Sequence, residues 1–323
     1  MRINIRFEFH IHICKSNDDE LKEKTCKELT GECFLKRAEQ EVEAMKSIRS
    51  HSTIANYRCA LNAFRRYLGQ DLPTDKINSD TIRGFEQHLR MQKVSPNSSS
   101  CYMRSLRALI IRLKGESAKT LFHKVYTGKA KTDKRAVSES DIHKLKSLRL
   151  KRLSCLRLAR DLFLFSYYAL GMPFVDIAFL RKSQVKDGQI TYLRQKTGQR
   201  ITVHLEPCME EIISRHSRSD SDYVFPIITA EDPDLAYKQY KSRLIYYNRM
   251  LKQLAEKAGI SKNLTSYTPR HTWASVAYSS NVDLPVISKA LGHTNTRTTL
   301  TYIKEINDDR LEKANRALVN RIL

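Results

Sequence analysis

Residues 267–302 read YTPRHTWASVAYSSNVDLPVISKALGHTNTRTTLTY, and three side chains in this stretch decide how the chain is understood. Tyr267-Thr-Pro-Arg270 supplies a guanidinium, Leu291-Gly292-His293 an imidazole and Thr301-Tyr302 a phenol. Arginine's planar fork matches two phosphate oxygens. Imidazole titrates near neutrality and can move a proton. A tyrosine nucleophile conserves the energy of a cleaved phosphodiester in a covalent link, so no ATP is needed. Each residue alone has an ordinary explanation. Leu-Gly-His can be a helix end followed by a surface histidine, and most of the 15 tyrosines are packing residues. Their order in so basic a chain points to strand exchange in DNA through a phosphotyrosine.

The charge supports a polyanionic partner. The 323 residues carry 57 Lys and Arg against 35 Asp and Glu, a formal charge of +22. The pI is about 9.7, which fits nucleic acid, an anionic membrane surface or an acidic protein. Residues 1–45 are slightly acidic, with eight basic and ten acidic side chains. Residues 46–120 hold 14 basic and five acidic, and residues 121–323 hold 35 and 20. The excess therefore belongs to the regions with folded patterning. Seven scattered cysteines (14, 26, 33, 59, 101, 155 and 208) form no C-x-x-C pair. An odd count without framework spacing predicts reduced thiols in a cytosol, with no zinc site. No apolar run is long enough to cross a bilayer, and charged residues interrupt the N-terminus, so no signal peptide is read there.

The length allows two domains. Residues 2–13 alternate Ile3, Ile5, Phe7, Phe9, Ile11 and Ile13 with polar residues, a period-two strand pattern. A lone strand needs a partner, and three readings stay open: pairing with a downstream sheet, an accessory DNA-contacting arm, or a poorly ordered extension. Residues 1–30 are therefore set apart as an N-terminal extension. Residues 31–121 read as helical. Ser52-Thr53 is expected to cap a helix over Ile54–Leu68, and Ser79-Asp80 to start a second. Ser95-Pro96-Asn97 reads as a turn before a third helix, Ser98–Lys114, whose polar face carries Arg104, Arg107, Arg112 and Lys114. Residues 122–137, containing Lys131, Lys134 and Arg135, read as an exposed basic linker. Residues 138–323 form the second domain. Ser138 and Asp141 cap its first helix, and Leu158–Leu170 is apolar nearly all round. Gln189–Leu193 and Gln199–Leu205 alternate around Lys196-Thr-Gly198, a hairpin signal. A hairpin-tip lysine is ordinarily solvated. At a scissile phosphate it can protonate the departing 5′-oxygen. The fold class is α+β: mainly helical, with a small sheet. Walker A spacing, zinc-ligand spacing and paired carboxylates are absent, so no cofactor or metal is expected.

These strings resemble the tyrosine recombinase, or phage integrase, family, from about Phe34 to about Leu318, and look closest to integrases on mobile elements of gut anaerobes. The matching strings are Ser-Thr-Ile-Ala-Asn-Tyr57-Arg, Lys134-Arg-Ala-Val, Leu-Phe-Ser-Tyr-Tyr168-Ala-Leu-Gly-Met172-Pro-Phe-Val-Asp176, Arg194-Gln-Lys196-Thr-Gly198, Tyr267-Thr-Pro-Arg270-His271-Thr-Trp273-Ala and Leu-Gly-His293. The resemblance implies a helical, SAM-like core-binding domain and a catalytic domain that clamp duplex DNA. It implies Tyr302 as nucleophile, Arg270 as second catalytic arginine, His293 as third-motif histidine and Lys196 as hairpin lysine, with Tyr267 where many members have histidine. The segment Ile303–Leu323 resembles the family's C-terminal helix, which docks on a neighbouring protomer. Folding back onto its own domain is the other reading of that segment.

One departure stands out. The family's first catalytic arginine follows a glycine, as Gly-x-Arg; here the string is Gly171-Met-Pro173. Arg194 is the candidate replacement, because two positions before Lys196 on an extended strand it would share that residue's face. Arg181, Arg157 and Arg160 are weaker candidates. The expected function is a site-specific recombinase, an integrase or invertase, that forms a 3′-phosphotyrosine. Four protomers would act on two duplexes, each free in solution as a monomer or weak dimer. Arg104, Arg107, Lys131, Lys134 and Arg135 would hold DNA. The expected compartment is the bacterial cytoplasm, on the nucleoid when bound, with no membrane partner. The alternatives are a DNA-binding protein of the same fold with impaired catalysis and a type IB topoisomerase-like relaxing enzyme.

Overall fold

The computed structural model describes residues 33–130, 135–301, 316, 319 and 320. The strand pattern at 2–13, Lys131, Lys134, Tyr302 and nearly all of the C-terminal segment lie outside the described residues. The chain divides into two compact units, residues 1–132 and 133–323.

The first unit is helical. Helices α1 (Phe34–Ala44), α2 (His51–Leu68), α3 (Ser79–Met91) and α4 (Pro96–Lys114) surround a core built on Phe34, Phe64 and Phe85. The rings meet edge to face, with centroids 5.8 Å apart for Phe34–Phe64 and 5.1 Å for Phe64–Phe85, a favoured aromatic geometry. Helix α2 begins earlier than expected because Ser50, not Ser52, is the cap; its hydroxyl accepts the Thr53 N–H. Asn78 caps α3 in a capping box with Thr81. Ser95-Pro96-Asn97 is not a free turn. Ser95 caps α4 and Pro96 is its first residue, where a missing N–H costs nothing. Leu106, Leu109 and Ile110 point inward from α4, while Arg104 and Arg112 are exposed.

The stretch 122–137 is anchored at each end. In the first unit, Phe122 and Val125 are buried, Asn97 exchanges two hydrogen bonds with Ala130, and the Ser100 hydroxyl donates to the Gly128 carbonyl. In the second, Ala136 and Val137 are buried; the Val137 N–H donates to Thr272 Oγ1, and Lys262 Nζ to the Ala136 carbonyl. Cys33 is disulfide-bonded, against the expectation of reduced thiols throughout; Cys59, Cys101, Cys155 and Cys208 are free.

The second unit is built around α6 (Cys155–Tyr168), whose Leu162, Phe163, Leu164 and Phe165 are all buried. Before it lies α5 (Glu139–Ser147), capped by Ser138 with Asp141 as expected, and after it α7 (Phe174–Ala178). Then come three antiparallel strands: β1 (Val185–Lys186), β2 (Gln189–Leu193) and β3 (Arg200–His204). Tyr192 faces Ile201 and Ile190 faces Val203, and all four are buried, so one face of the sheet covers the core. Helices α8 (Pro207–His216), α9 (Pro233–Lys257), α10 (Thr268–Ser279), α11 (Leu284–Ala290) and α12 (Thr296–Leu300) complete the described part. Phe174 stacks on Tyr247 of α9 with centroids 4.4 Å apart, fixing the start of α7.

A buried ion cluster pins α6 to α8. Asp161, 1% exposed, accepts from Arg160, Arg215 and His216 and lies 4.0 Å from Arg157. Burial alone would raise its pKa, but hydrogen bonds from His216, Arg215 and Arg160 prevail and hold it at about 2. Asp161→Asn leaves Arg157 and Arg160 without this buried counter-charge and Arg215 with only the exposed Glu211, and is expected to cost about 3 kcal/mol of stability in urea unfolding. Because the folded carboxylate titrates below its usual value of 3.8, the wild type keeps this contribution above about pH 4. It loses it as pH falls toward 2, so the gap between the two proteins should close in acid.

Candidate active site

The Leu291-Gly292-His293 turn follows α11 and gathers the site. Gly292 adopts φ +61°, the left-handed region that glycine enters without penalty. A side chain there would also strike Ile201 Cδ1 at 2.9 Å and Arg194 Cδ at 3.0 Å.

Arg270, near the start of α10, is 2% exposed. Its Nη1 donates to the Gly171 carbonyl at 2.9 Å, and its Nη2 donates to the Leu291 carbonyl and lies 3.2 Å from His293 Nε2. Gly171, at φ +71°, packs so closely that a Cβ would meet Arg270 Cα at 2.9 Å. Arg194 is 5% exposed and donates from Nη1 to the Gly292 carbonyl at 2.8 Å; its Nε is buried without a partner. Two guanidiniums thus hold consecutive carbonyls of one turn.

Arg194 is not on an extended strand with Lys196, as the sequence reading had it. Strand β2 ends at Leu193, and the Arg194 carbonyl accepts from the N–H groups of Thr197 and Gly198 in a tight turn. The turn separates the two side chains: Arg194 goes inward and Lys196 stays exposed. Lys196 is nevertheless near enough for its charge to act on His293. Arg181 lies over the Tyr223 ring, 5.1 Å from its centroid, and Arg157 and Arg160 serve Asp161, so the structure uses all three elsewhere. Pro173, in the place of the family's first arginine, has extended backbone and caps α7.

His293 is half-buried. Its Nδ1 lies 2.9 Å from Thr299 Oγ1, and Thr299 is fully buried. Nothing in the sequence marks Thr299, because Thr294–Thr299 is polar throughout and its composition alone suggests a loop. The stretch instead folds into α12, capped by Asn295. Arginine only donates, so His293 Nε2 facing Arg270 must accept, which places the proton on Nδ1. The pKa agrees: burial first, then the charges of Arg270, Arg194 and Lys196, lower it to about 4. The imidazole is neutral at pH 7.

Asp176 lies beneath the two arginines. Its Oδ1 accepts the Gln195 N–H at 3.0 Å, and its Oδ2 is buried without a partner. Burial pushes its pKa up to about 6 against the opposing effects of that N–H, Arg194 and Arg270. Tyr267, just before α10, is 43% exposed. The site therefore contains three permanent cations, one carboxylate and a neutral imidazole, a set suited to an anion. Elsewhere, Arg104 of α4 and Arg135 are exposed and Arg107 is half-buried. Among the described residues no group of His, Cys, Asp and Glu is arranged to hold a metal ion, and no helix is long and apolar enough to cross a membrane.

Residues 137–308 match the Phage integrase family, and residues 33–112 the Phage integrase SAM-like domain. The chain is similar to tyrosine recombinase XerD of Oceanobacillus iheyensis, 25% identical over 78% of this chain and 87% of that protein. Tyrosine recombinase XerA of Thermococcus kodakarensis is 27% identical over 77% of this chain and 84% of its own length. Among solved structures, the fold is similar to the Tn1549 transposon integrase in complex with a circular intermediate DNA, at TM-score 0.65 and 13% identity, covering 90% of this chain and all of that one. A lambda integrase dimer bound to a core site gives TM-score 0.64 and 14% identity over 86% of this chain and all of the other. A lambda integrase tetramer on a Holliday junction gives 0.64 and 15% over 93% and 84%.

The half-buried, cation-flanked His293 is expected to titrate by NMR near pH 4 in place of the ordinary 6.5. The Arg194→Ala protein, lacking one of those charges, should titrate higher. An unfolded histidine takes up its proton near 6.5 and the folded one near 4. Acidification between these values therefore lowers stability, and the slope should shrink in His293→Gln.

Proposed function

Because this chain belongs to the phage integrase family, as a tyrosine-type site-specific DNA recombinase, we propose that it cuts and rejoins duplex DNA by attack of Tyr302 on a scissile phosphate. The phenolic oxygen bonds to phosphorus as the bond to the 5′-oxygen breaks, giving a 3′-phosphotyrosine and a free 5′-hydroxyl. The 5′-hydroxyl of a partner strand then reverses the step and releases Tyr302. The observation that carries this reading is the convergence of Arg270, Arg194 and His293 on the Leu291-Gly292 turn, which feeds directly into the segment leading to Tyr302.

In this scheme Arg270 and Arg194 stabilise charge on the nonbridging oxygens, with Arg194 in the role left vacant at Pro173. Neutral His293, whose basic nitrogen is Nε2, takes the Tyr302 proton, and exposed Lys196 protonates the 5′-oxygen. Tyr267 contributes a hydroxyl at the rim. Residues 31–121 serve as core-binding domain and 138–323 as catalytic domain, with Arg104, Arg107, Lys131, Lys134 and Arg135 on DNA phosphates. Such contacts release counterions, so affinity should fall steeply with salt. The dimer and tetramer seen for lambda integrase support a tetramer on two sites, assembled from monomers or weak dimers in the cytoplasm at the nucleoid.

Pro173 gives a second reading specific support: a binding protein that has lost catalysis. A nicked suicide duplex bearing the cognate site decides between them. Wild type should trap covalently and Tyr302→Phe should not; no trapping by wild type leaves the binding protein. Arg194→Ala should cleave roughly 100-fold more slowly, the usual loss for one transition-state donor. Wild-type cleavage by that variant would remove Arg194 from the mechanism. Relaxation of any supercoiled plasmid would point to a topoisomerase-like enzyme.

A further inference from the structure

Thr299 is a polar side chain with no exposed surface, on a five-residue helix whose other hydroxyls face solvent. Burying a hydroxyl is costly unless it is paired, and its partner here is His293 Nδ1 at 2.9 Å. The imidazole is therefore held from both sides: Thr299 at Nδ1 and Arg270 Nη2 at Nε2, 3.2 Å away. The two contacts are complementary. Arginine has hydrogens and no lone pair to offer, so Nε2 accepts. Nδ1 must then donate, and a threonine oxygen accepts.

We infer that Thr299 is a positioning residue: it fixes His293 in the Nδ1–H tautomer and so presents Nε2 as the basic nitrogen beside Arg270. The hydrogen bond also crosses from the Gly292 turn to α12, which leads into residue 302. The histidine is thereby tied to α12. A serine would keep this contact. Valine, of the same shape, would keep the packing and leave the imidazole N–H buried without an acceptor, a loss of about 1–1.5 kcal/mol or roughly tenfold.

This role rests on the recombinase reading of His293, and the test separates the two. Full-length protein labelled with 15N-histidine is examined by NMR, the His293 signals being assigned by their absence in His293→Gln. The wild type and Thr299→Ser should show a protonated Nδ1 whose proton is protected from exchange with water, and a bare Nε2. In Thr299→Val that protection should be lost. On the nicked suicide duplex at saturating protein, Thr299→Val should cleave roughly tenfold more slowly, Thr299→Ser close to wild type, with the DNA affinity of all three unchanged. A wild-type His293 protonated on Nε2 overturns the inference, as does a Thr299→Val that keeps both the protected proton and the cleavage rate. Equal impairment of Ser and Val variants would show packing, not the hydrogen bond, to be what matters. Failure of the wild type to trap DNA at all would count against the phosphotyrosine reading and leave the NMR result to judge Thr299.

Discussion

The site depends on two buried guanidiniums held by backbone carbonyls. Arg270 donates to Gly171 and Leu291, and Arg194 to Gly292. A buried guanidinium is costly where its N–H groups go unpaired; carbonyl oxygens take both Arg270 Nη groups and Arg194 Nη1 without cancelling the charge. An ion pair would have neutralised the cations. Carbonyl anchoring keeps them positive and immobile, which is what stabilising a transition-state charge requires. The constraint propagates outward. Gly171 and Gly292 must turn their carbonyls toward the arginines, and both do so in left-handed conformations at contact distances that exclude a Cβ. Gly171 in turn ends the central helix of the second unit, and Gly292 sets the direction in which His293 leaves α11.

Burial, reinforced by charge, accounts for the state of the imidazole. Desolvation first, then the charges of Arg270, Arg194 and Lys196, lower its pKa to about 4, so the ring is neutral at pH 7. The same field acts on Asp176 in the opposite sense and does not win. Burial keeps that carboxyl at about 6 although two arginines are nearby. Desolvation dominates at both groups. It removes charge from the ring and weakens the Asp176 carboxylate, so among the described residues the balance at the centre of the site favours an anion supplied from outside. The protein-wide surplus of +22 then brings that anion, as DNA, to the surface.

Local signals made much of the fold legible. The Ser138–Asp141 capping box, the apolar run of α6 and the alternation on both sides of Lys196-Thr-Gly198 each depend on neighbours a few residues away, and each appears as read. Caps misread by two residues, such as Ser50 for Ser52, reflect several competent hydroxyls in one short stretch. What stayed hidden was long-range. Arg194 reaches Gly292 across 98 residues, and nothing local marks it as buried. Treating it as a strand residue got the partnership with Lys196 wrong, because the turn begins one residue earlier. Thr299 was hidden for another reason: in a run of five polar residues and one arginine, composition speaks for a loop, and only tertiary contact shows which threonine is inside.

The proline at position 173 is best understood from the same contacts. In the resemblance to the family, this position supplies a cation to the phosphate. Here it caps α7, and its neighbour Phe174 stacks on Tyr247, so the start of the helix has become scaffold. A third buried guanidinium at that point would need its own acceptors, and the Gly171 carbonyl already serves Arg270. It would also raise the repulsion among the cations, which act on Asp176 already. On the proposed reading, placing the second guanidinium at Arg194 avoids both difficulties. Arg194 takes the Gly292 carbonyl from the hairpin, which also carries Lys196. On that reading one turn carries both proposed cations, Arg194 directed inward and Lys196 toward solvent, and the loss of the arginine at 173 becomes a relocation of charge within the site.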